Sequence, residues 1–141
     1  MVENIGDYRV LVVDDEQEIV NMICRNLELE GYDIEGVTSP DDAIERIKQE
    51  NFQVVVSDIK MPEMSGVELL KEIKRIDGIV QVIMITGYVT PSNIVSCLSN
   101  GAIDCLFKPL DMDRLQHSID ESIEKLRRWK TVLGELSGLK E

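Results

Sequence analysis

Asp14, Asp15, Asp58, Thr86 and Lys108 are the side chains of this 141-residue chain whose types could do chemistry together. Three carboxylates in one crevice repel: two unit charges about 4 Å apart cost about 4 kcal/mol at an effective dielectric of 20. A cation is needed if all stay ionised. Carboxylate oxygens suit a hard ion such as Mg²⁺, which keeps waters that a phosphate-bearing partner can replace. Lys108 adds a second cation and Thr86 a hydroxyl. With these groups placed to neutralise phosphoryl oxygens, an aspartate can act as nucleophile toward phosphorus and form an acyl phosphate. The charge so added, about −1.5 to −2 as for other phosphorylated side chains, would draw the neighbouring loops inward.

The elements that must position these groups are legible. Val54-Val55-Val56 has no polar alternation, which is how a strand buried on both faces of a parallel sheet reads, and Pro62 and Gly66 end any simple continuation. Asp58 is thereby delivered to the carboxyl end of a central strand. Further apolar strands are expected from Arg9 to Val13, Asp33 to Val37, Phe52 to Ser57, Val80 to Thr86 and Asp104 to Phe107. Between them lie helical patterns with start and stop signals. Ile19, Val20, Ile23 and Leu27 run to Gly31; Ser39-Pro40-Asp41-Asp42, Ser65-Gly66-Val67-Glu68, Thr90-Pro91 and Asp111 open helices; Asp77-Gly78 and Asn100-Gly101 close them. About five successive βα units imply a doubly wound α/β domain, its parallel sheet covered by helices on both faces. In that architecture the loops after strands one, three, four and five open on one edge, where all five groups can converge.

Composition narrows the function classes. The length fits one domain with a short appendage, and 43% hydrophobic with 30% charged residues is the make-up of a soluble globule. A net charge of −12 opposes direct contact with nucleic acid. The start of the chain carries acids and no apolar run approaches a membrane span, so a cytoplasmic protein with no membrane partner is expected. Cys24, Cys97 and Cys105 lack CxxC spacing, which disfavours a zinc site or a disulfide framework.

Taken singly, each functional residue has a plainer reading: Asp14 and Asp15 as caps of the first helix, Thr86 as a strand end, Lys108 as a solvated terminus. Together they match a signature. The acids of Val12-Val13-Asp14-Asp15-Glu16, Asp58 followed by Met61-Pro62 and Gly66, Thr86, and Lys108-Pro109 resemble, in order and spacing, the receiver domain of bacterial two-component response regulators, over Arg9 to about Lys125. The resemblance implies a flavodoxin-like sheet of order 2-1-3-4-5, with residues 1–125 as the receiver domain and 126–141 as a helical extension or linker. It implies that Asp58 is phosphorylated by a sensor histidine kinase with Mg²⁺ as cofactor. Asp15, Asp58 and the backbone carbonyl of Lys60 would hold the ion directly and Asp14 through water. Lys108 would pair with the phosphoryl group, Thr86 would be the switch hydroxyl, and Lys108-Pro109 would be cis. The product is then a changed surface for an effector domain or protein, without metabolic turnover.

The chain also departs from that pattern. The family usually has an aromatic three residues before the lysine; here Cys105 stands there, and Phe107 lies on the same strand face and could partly replace the ring. Lys60 and Tyr88 would flank the attacking water, with Gly87 leaving room beside the phosphoryl group. Met112, Leu115, Ile119, Ser122, Leu126, Trp129, Leu133 and Leu136 alternate spacings of three and four, which extends the last helix towards a homodimer contact or a linker. His117 has no ligand companions. Two other functions stay open: a phosphorylation-independent receiver-like scaffold, and an aspartate-nucleophile phosphatase of the haloacid dehalogenase kind, against which the adjacent acids speak.

Overall fold

The computed structural model describes residues 7–87 and 90–139, with side chains as far as residue 134. Five strands alternate with five helices: β1 (Arg9–Val13), α1 (Gln17–Leu29), β2 (Asp33–Val37), α2 (Pro40–Gln49), β3 (Val54–Asp58), α3 (Gly66–Ile76), β4 (Gln81–Thr86), α4 (Pro91–Ser99), β5 (Asp104–Phe107) and α5 (Met112–Leu139). The strands form one parallel sheet in the order β2-β1-β3-β4-β5, as expected.

Strand periodicity divides the core in two. Val10, Val12, Val54, Val56, Ile83, Ile85 and Leu106 point to the side covered by α1 and α5, where they meet Ile23, Leu27, Leu115, Ile119 and Ile123. Leu11, Val13, Val55, Val82 and Met84 point to the opposite side and meet Ala43, Leu69, Leu70, Ile73 and Cys97 of α2, α3 and α4. A sheet dry on both faces holds its strand ends in fixed register, and that fixes the site.

The helix starts follow the sequence signals. Ser39 Oγ accepts from Asp42 N–H (3.1 Å), Ser65 Oγ from Glu68 N–H (3.2 Å) and Thr90 Oγ1 from Asn93 N–H (3.2 Å). Asp111 Oδ1 accepts from Asp113 and Arg114 at the start of α5. Gly31 and Gly101 close α1 and α4 with φ of 95° and 97°.

Two boundaries differ from the sequence reading. β3 starts at Val54 and includes Asp58, and β4 starts at Gln81. At the carboxyl edge Ile59 N–H donates to Ile85 O (2.9 Å), which keeps Asp58 in the ladder; at the amino edge Val80 N–H turns back to Asp77 O (3.4 Å) and Arg9 N–H donates to the Gln53 side chain (Oε1, 2.7 Å). There Arg9 also stacks on the Phe52 ring at 4.4 Å and pairs with Glu50 at 3.0 Å, while Arg46 reaches Glu35 at 2.8 Å.

α5 packs with Leu115, Ile119, Ser122 and Leu126 buried, then runs on with Trp129, Val132 and Leu133 exposed. The side chain of Leu136 lies outside the described residues. Among the described residues no helix is long and apolar enough to cross a membrane.

Candidate functional site

Each chemistry-bearing residue stands at or just past the carboxyl end of its strand. Asp14 follows β1, its N–H donating to Val37 O of β2 (3.3 Å). Asp58 is the last residue of β3, in register with Ile85, and the ladder runs one bond further as Ile59 N–H donates to Ile85 O (2.9 Å). Thr86 ends β4, and Lys108 follows β5 with its N–H on Thr86 O (2.9 Å). The Lys108-Pro109 peptide is cis.

The loop after Asp58 is held by α3. Gly66 N–H donates to Ile59 O (2.6 Å), and a Cβ at Gly66 would lie 2.2 Å from Asp58 O and 2.7 Å from Ile59 Cα. Only glycine allows this approach of helix to strand end.

Asp14, Asp58 and Thr86 are buried, at 3%, 6% and 1% exposure, while Asp15 faces solvent. Carboxylate oxygens of Asp14, Asp15 and Asp58 all lie within 4.8 Å of one another. Lys108 Nζ sits 3.3 Å from Asp58 Oδ2 and 3.6 Å from Asp14 Oδ2. Lys60 N–H is 3.4 Å from Asp58 Oδ1. Asp15, Glu16, Asp58, Lys60, Met61, Pro62, Gly87 and Lys108 line an open cleft of about 490 Å³.

The electrostatics follow from this placement. Burial pushes the Asp14 carboxyl above its usual range; the bond from Glu16 N–H (2.9 Å) opposes this, Asp58 and Asp15 add to it, and Lys108 pulls it back. For Lys108, burial disfavours the charge, but Asp58 and Asp14 outweigh it and the net shift is upward. One lysine thus faces three carboxylates, two of them buried. An all-oxygen set with excess negative charge fits a hard divalent cation such as Mg²⁺, and a soft-ligand metal has no thiol or imidazole here.

The plainer readings fare less well. The N-cap of α1 is Glu16, with no side-chain cap bond, and Asp14 bonds inside the turn ahead of it. The Lys108 amine turns inward to two acids. Sequence reading did not single out Glu16 or Met61 as cleft residues; the signal for Glu16 was its place directly after the acid pair. Cys105 is half-buried and Cys97 buried, both as free thiols, Phe107 is 47% exposed, and Tyr88 lies outside the described residues. His117 is exposed and pairs with Glu121 at 2.8 Å on the same helix, away from the cleft.

A family model described as the response regulator receiver domain matches residues 10–120. The chain belongs to that family. This receiver domain is 33% identical over 122 residues to the transcriptional regulatory protein ZraR of Salmonella typhimurium, covering 86% of the chain and 28% of the relative. It therefore spans under a third of the curated relatives it matches. Among solved structures, the receiver domain of a putative Luxo repressor protein from Vibrio parahaemolyticus superposes with a TM-score of 0.83 at 31% identity, over 89% of this chain and 96% of that one. A response regulator receiver domain from Clostridium thermocellum does so with a TM-score of 0.81 at 33% identity, over 86% and 98%. The chain is thus a receiver domain of two-component response regulators with the flavodoxin-like order of strands, the fold and family its motifs imply.

Proposed function

We propose that this receiver domain accepts a phosphoryl group on Asp58 from the phosphohistidine of a sensor kinase and passes the change to an effector. The supporting observation is the Lys108 amine, 3.3 and 3.6 Å from two buried carboxylates at the floor of an open cleft. In the transfer, an Asp58 carboxylate oxygen bonds to phosphorus while the P–N bond to the imidazole breaks, and the imidazole leaves with that electron pair. Lys108 leaves its pairing with Asp58 for the phosphoryl oxygens, and the Thr86 hydroxyl donates to one of them. Asp14, Asp15, Asp58 and the backbone carbonyl of Lys60 would hold Mg²⁺, which supplies positive charge to phosphoryl oxygens in transfer.

Thr86, Cys105 and Phe107 form the switch in this reading, and Phe107 partly replaces the missing ring. α5 continues beyond the receiver domain, from residue 126 onward, as a linker or as the contact of a homodimer, its apolar stripe running on through Trp129 and Leu133. Self-catalysed gain and loss of the phosphoryl group is the only chemistry assigned.

Intact-mass spectrometry after incubation with acetyl phosphate and Mg²⁺ tests the reading. A phosphoryl adduct is expected on wild type and is expected to be missing from Asp58→Asn and from a metal-free sample. An adduct on Asp58→Asn at the wild-type level would overturn it.

A further inference from the structure

Glu16 faces the cleft as well as the helix it opens, whose dipole favours an acid at that end. It is the N-cap of α1, yet its side chain makes no cap bond, and among the described residues no hydrogen bond or salt bridge uses its carboxylate. The side chain is exposed and lines the same cleft as Asp15, Asp58, Lys60 and Lys108. Its field is among those that favour the charged form of Lys108.

The charge count shows what such a group can do. Asp14, Asp15, Glu16 and Asp58 bring four negative charges, and Lys60 and Lys108 bring two positive ones, for a sum of −2. A divalent cation takes the cleft to neutrality. Without Glu16 the loaded cleft would carry +1 and attract any anion in proportion to its charge.

We propose that Glu16 is a charge filter at the mouth of the cleft, disfavouring doubly charged small phosphodonors relative to donors of lower negative charge. The proposal rests on Asp58 being the phosphoryl acceptor. Acetyl phosphate, a dianion at neutral pH, and phosphoramidate, a monoanion, distinguish the two classes. In both reactions an Asp58 oxygen–phosphorus bond forms. With acetyl phosphate the bridging P–O bond breaks and acetate leaves with the electron pair. With phosphoramidate the P–N bond breaks and ammonia leaves.

The experiment compares initial rates of Asp58 adduct formation from the two donors, at saturating Mg²⁺, for wild type, Glu16→Gln and Glu16→Lys. One unit of donor charge acting on one unit of protein charge about 7 Å away in a water-like dielectric changes a rate by about threefold. The ratio of acetyl phosphate rate to phosphoramidate rate should therefore rise about threefold in Glu16→Gln and about ninefold in Glu16→Lys. Both gains should shrink at about 1 M salt, where the Debye length is about 3 Å. A purely structural role would slow both donors together and leave the ratio unchanged, and an unchanged ratio overturns the proposal. If neither donor modifies Asp58 in wild type, the acceptor reading fails first; adducts from both at one constant ratio sink only the role of Glu16.

Discussion

Asp14→Asn removes one of the two buried carboxylates in the cleft, and the sign of its effect tests whether the acid cluster is strained when no cation is bound. With oxygens within 4.8 Å, Asp58 repels Asp14 by about 3.5 kcal/mol or more at an effective dielectric of 20. Lys108, 3.6 Å away, attracts it by a similar amount. The two pair energies nearly cancel, which leaves the cost of burying the charge, consistent with a carboxyl held above 3.8. A group whose folded pKa is raised contributes stability below its unfolded pKa and loses it as pH rises through the folded value. Wild type should therefore lose this contribution as pH climbs from about 4 through that raised value. Asp14→Asn cannot ionise, and its Oδ1 can still accept from Glu16 N–H. In EDTA at pH 7 it should be more stable by about 1 to 2 kcal/mol, or roughly 3 to 8 °C in Tm, with a flatter pH profile. Millimolar Mg²⁺ should raise the Tm of wild type more than that of the variant. Thermal denaturation between pH 4 and 8 provides the assay, and a variant no more stable than wild type, with the same slope, would refute the reasoning.

Two further outcomes follow from packing. Gly66→Ala places a Cβ 2.2 Å from Asp58 O, so the strand end must shift; a loss of about 1 to 3 kcal/mol in denaturant unfolding is expected, with slower adduct formation on Asp58, and wild-type values for both would show the approach to be slack. If the overhang of α5 is a homodimer contact, sedimentation should show a concentration-dependent dimer that Trp129→Glu with Leu133→Glu abolishes while the variant still unfolds cooperatively, its Tm no longer dependent on concentration, whereas a monomer at high concentration, phosphorylated or not, would leave the linker role alone.

What the sequence made legible was what local pattern controls. Strands dry on both faces have to be apolar throughout, so Val54 to Val56 and Val82 to Ile85 announce themselves, and Ser39, Ser65, Thr90 and Asp111 mark helix starts because their oxygens accept first-turn N–H groups. The convergence of Asp14, Asp58 and Lys108 followed from topology, since strands in a parallel sheet share one carboxyl edge. Contacts between distant residues were not legible. Arg9 meets Glu50 across 41 positions, and neither periodicity nor spacing encodes that meeting. The place of Glu16 on the cleft, with no side-chain bond back to its own helix, was not legible either.

The register of β4 against β5 bears on how a switch could work without the usual ring. Cys105, on the edge strand β5, pairs with Met84 and packs half-buried against the side covered by α2, α3 and α4. Burial raises its thiol pKa, as it raises that of Cys97 to about 11, so both stay protonated thiols near neutral pH. A small thiol offers no large ring to swing. Phe107 is the Cα partner of Thr86, and the next residue's N–H is bonded to Thr86 O. Any movement of Thr86 toward a phosphoryl group therefore reaches Phe107 before it reaches Cys105. Phe107 is also half in solvent and can bury apolar area, worth about 25 cal/mol per Å², if that movement opens space beside it. Crystals with and without a phosphoryl mimic should accordingly differ in the Phe107 rotamer, with Cys105 unmoved; one Phe107 rotamer in both states would remove the ring from the switch and leave the output to the loops that carry Thr86 and Lys108.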